Sequence, residues 1–211
     1  MTHDTMHHPA PQLRIRATYA RGGTSKGLFF RRDDLPEACR SPGPARDRLL
    51  LRLLGSPDPY GKQIDGMGNA SSSTSKAVIL SPASRPDHDV DYLFGQVSID
   101  QALVDWSGNC GNLSSAVGPL AVSMGLVHPS RVPDDGVCTV RIWQANIGKT
   151  ILAHVPVAGG QVVESGDFEL DGVAFPAAEV RLEFLEDAPA SGEGATPAER
   201  LFPTGRVVDT L

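Results

Sequence analysis

The sequence predicts an α+β domain in which a mixed or mostly antiparallel sheet wraps around one central helix. Three observations carry this prediction. Strand-like runs outnumber helix-like ones along the 211 residues. Turn signals between those runs favour hairpins. One helical stretch, residues 112–124, is apolar on nearly all sides, as a helix must be when it is covered on every face.

The elements follow in order. Residues 1–12 are polar, with His3, His7, His8, Pro9 and Pro11, and read as a flexible leader without the apolar core of a signal peptide. Residues 13–20 have strand character, with Ile15, Ala17 and Tyr19 on one face. Arg21-Gly22-Gly23-Thr24-Ser25-Lys26-Gly27 is a turn, and Leu28, Phe29 and Phe30 resume a strand. Residues 44–54 read as a helix. Pro44 suits its first turn, Leu49, Leu50, Leu53 and Leu54 form its buried stripe, and Gly55 stops it. Residues 56–74 are a long Ser/Gly/Pro/Asn stretch, of the kind that is functional or disordered inside a compact domain. Residues 76–80 form a strand, and residues 91–99 another, with a slip at Gly95. The apolar helix starts at Cys110 or Asn112, with Pro119 as a kink or loosened turn. Residues 137–146 and 150–157 form a hairpin around Ile147-Gly148-Lys149. Short strands follow near Val162, at 168–170 and at 180–185. The domain is expected over residues 13–186. Residues 187–211 read as a loop and the start of a crossover.

Composition narrows the function. Hydrophobic residues make up 40% and charged residues 21%, so a packed core is expected. The formal charge is −6 and no Lys/Arg block stands out, which argues against nucleic acid as a partner. The longest apolar run falls far short of the ~18 residues that span a bilayer. The chain is expected to be cytoplasmic and not membrane-bound. Cys39, Cys110 and Cys138 are too few for a disulfide framework and lack zinc-site spacing. Cys39 is expected in a loop and Cys138 in a strand core. His88, His128 and His154 read as surface or packing residues, and Trp106 and Trp143 as core.

Three stretches could carry chemistry. In Gly108-Asn109-Cys110-Gly111-Asn112 a thiol stands at a helix start, where unpaired N–H groups and the positive dipole end favour a thiolate. The same N–H groups can hold a carboxylate. The competing reading is a small core cysteine with asparagine caps. In Ser71-Ser72-Ser73-Thr74-Ser75-Lys76 a lysine ends a hydroxyl-rich loop at the edge of an apolar strand. It reads either as a general base or as a solvated lysine. Arg21 to Gly27 lacks the spacing of a phosphate-binding loop. It still offers amides, hydroxyls and two cations, which suit carboxylates as well as a plain hairpin turn.

Taken together, these stretches resemble the PrpF-type 2-methylaconitate cis–trans isomerase family. The likeness also rests on Gly55-Ser56-Pro57-Asp58-Pro59-Tyr60-Gly61-Lys62-Gln63-Ile64-Asp65-Gly66-Met67-Gly68, Asp105-Trp106-Ser107 and Arg141-Ile142-Trp143-Gln144-Ala145-Asn146. It covers nearly the whole chain from Leu13. The resemblance implies a diaminopimelate epimerase-like fold, in which two similar domains flank the active site. This chain resembles the N-terminal one, and alone it is expected to have little or no activity. The resemblance places Lys76 and Cys110 at the catalytic positions. It implies substrate contacts from Arg21, Gly22, Thr24, Ser25, Lys26, Met67, Ser72, Ser73, Thr74, Asn109, Gly111 and Asn112. The implied reaction is isomerisation of a small unsaturated tricarboxylate by allylic proton abstraction and return. No metal or other cofactor is implied. Oxalomesaconate is the alternative substrate, and a non-catalytic carboxylate-binding fragment the alternative class. A homodimer and a functional link to an aconitase-type 2-methylcitrate dehydratase complete the expectation.

Overall fold

The computed structural model describes residues 12–185. Apart from Gln12, the leader expected over 1–12 lies outside them, as does the crossover expected over 187–211. The described chain builds one nine-stranded sheet. Strand β1 (Thr18–Gly22) and β2 (Ser25–Arg31) form an antiparallel hairpin. The short helix α1 (Glu37–Arg40) and helix α2 (Pro44–Leu54) lead through the long loop to β3 (Lys76–Pro82), which lies parallel to β2. Strand β4 (Val90–Val97) returns antiparallel to β3 and pairs with the two-residue β5 (Val104–Asp105). Helix α3 (Gly111–Ser123) comes next. Then β6 (Asp135–Gln144) lies parallel to β4 and turns into β7 (Lys149–Ala158). Strand β8 (Gln161–Val162) and β9 (Arg181–Leu185) both pair with β7.

Helix α3 touches β1 and β2 at one end of the strand order and β7 and β8 at the other. The sheet therefore curls around it, as its all-round apolar surface demands. Gly118 lets helix and sheet close up. A methyl group there would stand 2.7 Å from Ala153 Cβ and 2.8 Å from Val155 Cγ2. The helix runs through Pro119 without interruption.

Two clusters sort the strand residues by the period of two. Phe29, Val78, Leu80, Tyr92 and Phe94 face α3, together with Ile151, Ala153 and Val155. Leu28, Phe30, Ala77, Ile79 and Val97 face the other way, onto Leu50, Leu51 and Leu54 of α2. Strands β2 and β3 are thus buried on both faces, which is why they read as unbroken apolar runs.

Several expectations need correction. The first strand begins at Thr18 rather than Leu13, since residues 13–17 have no strand to pair with. The buried stripe of α2 is Leu50, Leu51 and Leu54, while Leu49 and Leu53 are only half-buried. There is no slip at Gly95. The β3–β4 register is continuous from Lys76↔Gln96 to Pro82↔Val90, and Val97 simply faces α2. Cys39 lies in α1 and is buried. The strand expected at 168–170 reduces to one bridge, Phe168↔Ala177. The long loop is ordered by buried polar bonds. Gln63, only 1% exposed, donates to Ser56 Oγ at 2.9 Å and Ser75 Oγ at 2.8 Å, and accepts from the Ala70 amide at 2.9 Å.

Candidate active site

Cys110 is the N-cap of α3, and its position is set by its own backbone. Its sulfur accepts the Leu113 N–H at 3.5 Å. Its carbonyl accepts the Ser114 amide at 3.0 Å, the Ser114 hydroxyl at 3.0 Å and the Tyr92 hydroxyl at 3.4 Å. Burial, and then the neighbouring Cys110, push the Tyr92 phenol well above its ordinary value, so it stays a protonated donor. The first-turn amides of Gly111 and Asn112 have no intrahelical partner by helix geometry. Asn109 Oδ1 is shut off from solvent without a donor.

The β1–β2 turn closes onto this helix end. The Ser25 hydroxyl lies 3.9 Å from Cys110 Sγ, and Asn112 Nδ2 donates to Thr24 Oγ1 at 3.1 Å. The paired glycines permit the approach. A methyl group at Gly22 would stand 2.5 Å from the Asn112 carbonyl oxygen, and one at Gly23 2.5 Å from Asn112 Oδ1.

Lys76 opens β3 beside Gly27, where a methyl group would stand 2.6 Å from the Lys76 carbonyl oxygen and 3.0 Å from its Cβ. Alternation places Lys76 on the sheet face of Val78 and Leu80, the face that covers α3. Ser25 is on the same face of the neighbouring strand, two residues before Gly27. Lys76 and Cys110 are therefore both turned toward the concave side, at the same end of the sheet. Lys76 Nζ stands 5.0 Å over the Phe94 ring and donates to Gln96 Oε1 at 2.7 Å.

The hydroxyl loop joins from below. Ser71 Oγ shares hydrogen bonds with Ser73 Oγ at 3.0 Å and Thr74 Oγ1 at 2.8 Å. The Ser73 carbonyl accepts the Lys26 amide at 3.0 Å, and the Ser72 carbonyl accepts Gln96 Nε2 at 3.1 Å. The structure thus brings Lys76, Cys110, Gly22, Thr24, Ser25, Ser72, Ser73, Thr74, Asn109, Gly111 and Asn112 to one end of the sheet.

Three expected contacts are not brought together with them. Lys26 alternates with Ser25 and pairs with Arg21, so both side chains leave from the opposite sheet face. Lys26 lies 5.8 Å over the Tyr19 ring, and Arg21 bonds the Gly23 carbonyl. Met67 is anchored through its amide to Leu53 of α2, with its side chain exposed. Sequence reading missed Tyr92 and Gln96. The alternation Tyr92, Phe94, Gln96 was the available signal, since it puts all three on the Lys76 face. Among the described residues no group of three or more His, Cys, Asp or Glu gathers as a metal site, and no helix is long and apolar enough to cross a membrane.

A sheet curled around a buried helix, with a cysteine at its N-cap and a buried lysine at the same end of the sheet, defines an α+β domain of the epimerase-like kind. The PrpF protein family model matches residues 12–211, and the chain belongs to that family. It is 72% identical to a 2-methyl-aconitate isomerase of Cupriavidus necator, over 95% of this chain and 50% of that one. It is 47% identical to a 4-oxalomesaconate tautomerase of Pseudomonas putida, over 95% of this chain and 51% of that one. The crystal structure of a methylitaconate-delta-isomerase superposes with a TM-score of 0.71 at 42% identity, covering 80% of this chain and 41% of the other. The expected epimerase-like α+β class therefore holds. The chain spans about half the length of the curated relatives it matches.

Proposed function

We propose that this chain carries the proton-transfer half of an isomerase of small unsaturated tricarboxylates, with 2-methylaconitate as substrate. One observation carries the reading: a buried lysine and a helix-capping cysteine share the concave end of one sheet, joined through Ser25 and the edge of β2. The greater identity to the 2-methyl-aconitate isomerase than to the oxalomesaconate tautomerase supports the choice of substrate.

In the proposed mechanism the Lys76 amine removes a proton from the allylic carbon. The C–H electrons move through the double bond to the conjugated carboxylate. The resulting dienolate rotates about what has become a single bond. A proton then returns, from Cys110 or from Lys76 with Cys110 as its partner. The amides of Gly111 and Asn112 take the developing oxyanion. Such donors are worth roughly 2.7–4 kcal/mol each, against roughly 0.3–1 kcal/mol for the helix dipole. The reading places the enzyme in the cytoplasm, after an aconitase-type 2-methylcitrate dehydratase. It also allows a homodimer, which sedimentation measures.

The test is conversion of 2-methyl-trans-aconitate by the complete protein, side by side with oxalomesaconate. Lys76→Ala and Cys110→Ser are each expected to lower kcat by roughly 10²–10⁴-fold with unchanged circular dichroism. Full activity in both variants sinks the mechanism, and faster turnover of oxalomesaconate sinks the substrate assignment.

A further inference from the structure

Lysine is rarely buried unless it is paired with an opposite charge. Lys76 is 8% exposed, yet among the described residues its polar partner is a neutral amide, Gln96 Oε1 at 2.7 Å, and no carboxylate pairs with it. The orientation of that amide is fixed by its other end. Gln96 Nε2 donates to the Ser75 carbonyl at 2.8 Å and to the Ser72 carbonyl at 3.1 Å. Two carbonyls can only accept, so the nitrogen must face them and the oxygen must face Lys76.

We infer that Gln96 is the positioning residue for Lys76: an uncharged acceptor that holds the amine by one N–H and leaves its lone pair free for the substrate proton. The inference rests on the reading of Lys76 as the base. A carboxylate at the same place would aim the amine equally well but would favour the charged, non-basic form. An apolar side chain would leave the form alone and lose the aim. Glutamine does the one without the other. It also ties the amine to the loop of Ser71 to Thr74, so base and hydroxyls are set by a single side chain.

The charges around Lys76 have other partners. Asp105 of β5 pairs with Gln96 across the strands, but its carboxylate is turned to Ser107, whose amide donates at 2.8 Å. Those Ser107 bonds hold it below the usual carboxylate range. Lys26 of β2 leaves from the opposite face. Cys110 of α3 and Tyr92 of β4 lie on the same face, and the Tyr92 hydroxyl is committed to the Cys110 carbonyl.

The test is the pH dependence of kcat/KM in the complete protein for Gln96→Glu and Gln96→Met, with Lys76→Ala as reference. Gln96→Glu is expected to move the acidic limb to higher pH by about one unit or more. Gln96→Met is expected to lower kcat about tenfold or more while KM stays within about twofold. A residue that only held the loop would change KM or stability and leave the acidic limb in place. A wild-type limb in Gln96→Glu, with Lys76→Ala inactive, overturns the inference and leaves the proposed base standing. An active Lys76→Ala overturns the base itself. Should Gln96→Glu fail to fold, Gln96→Met decides: unchanged kcat refutes the positioning role.

Discussion

Lys76 and Cys110 are equally buried, each 8% exposed, but they are held by different kinds of bond. Cys110 is fixed chiefly from within its own segment, with the Tyr92 hydroxyl adding one longer bond. Leu113 and Ser114, three and four residues on, supply the bonds that define the cap. Lys76 is fixed from elsewhere. Its amine is held by Gln96, twenty residues away, and its strand is flanked by β2 and β4. A cap of this kind forms with its helix. A lysine held across a sheet is in place only when three strands are already in register. One pole of the site is a property of local backbone, the other of tertiary assembly.

The glycines under each pole give the largest expected effects on stability. Gly27→Ala sets a methyl group against the Lys76 backbone between two paired strands, and Gly22→Ala sets one against the first turn of α3. In both cases the obstacle is main chain, which cannot swing aside. Each is expected to cost about 1–3 kcal/mol or more, read as a lower urea midpoint. If the comparison holds, Gly27→Ala also loosens β2 from β3 and speeds amide hydrogen exchange there, and least in α3. Uniform loss of protection in both regions would erase the distinction between the poles. A smaller effect is expected at the cap itself. Cys110→Ser should keep stability within about 0.5 kcal/mol, because serine is the better cap, while Cys110→Ala should cost about 0.5–1 kcal/mol.

The same difference explains what could be read from the sequence. Helices α2 and α3 were legible because their signals are local: Pro44 at one end, Gly55 at the other, and an apolar run behind Cys110. Cys110, Asn109 and Asn112 were legible for the same reason. The curl of the sheet around α3 followed from that helix's apolar surface. Alternation alone puts Gln96 on one face with Tyr92 and Phe94, but the clamp to Lys76 depends on the β3–β4 register, which no local signal gives. The faces of Arg21 and Lys26 are not legible in a turn motif taken as a cluster of donors, because they follow from alternation along paired strands. The run 91–99 shows a slip at Gly95 only where β4 buries a single face; α2 covers the other, so Val97 is buried without one.

The loop before Lys76 combines both kinds of bond, and its charge offers the finest test. Asp58 is a local anchor. Its carboxylate accepts the amides of Tyr60, Lys62 and Gln63. Gln63 then makes the long-range bond to Ser75, next to Lys76. Bonds from the Tyr60 and Lys62 amides hold the Asp58 carboxyl below its ordinary value. A folded-state value below the unfolded one, about 3.9, means stability that is fully present above that pH. It is lost as pH falls through the folded-state value. Asp58→Asn is therefore expected to lower the urea midpoint at pH 7 by a small amount, with the gap to wild type shrinking as the pH is taken from 5 toward 3. A gap that persists unchanged at pH 3 would show that Asp58 acts through the shape of the turn rather than its charge. If the gap at pH 7 is accompanied by lost protection at the Ser75 and Lys76 amides, the local anchor reaches the distant pole through Gln63.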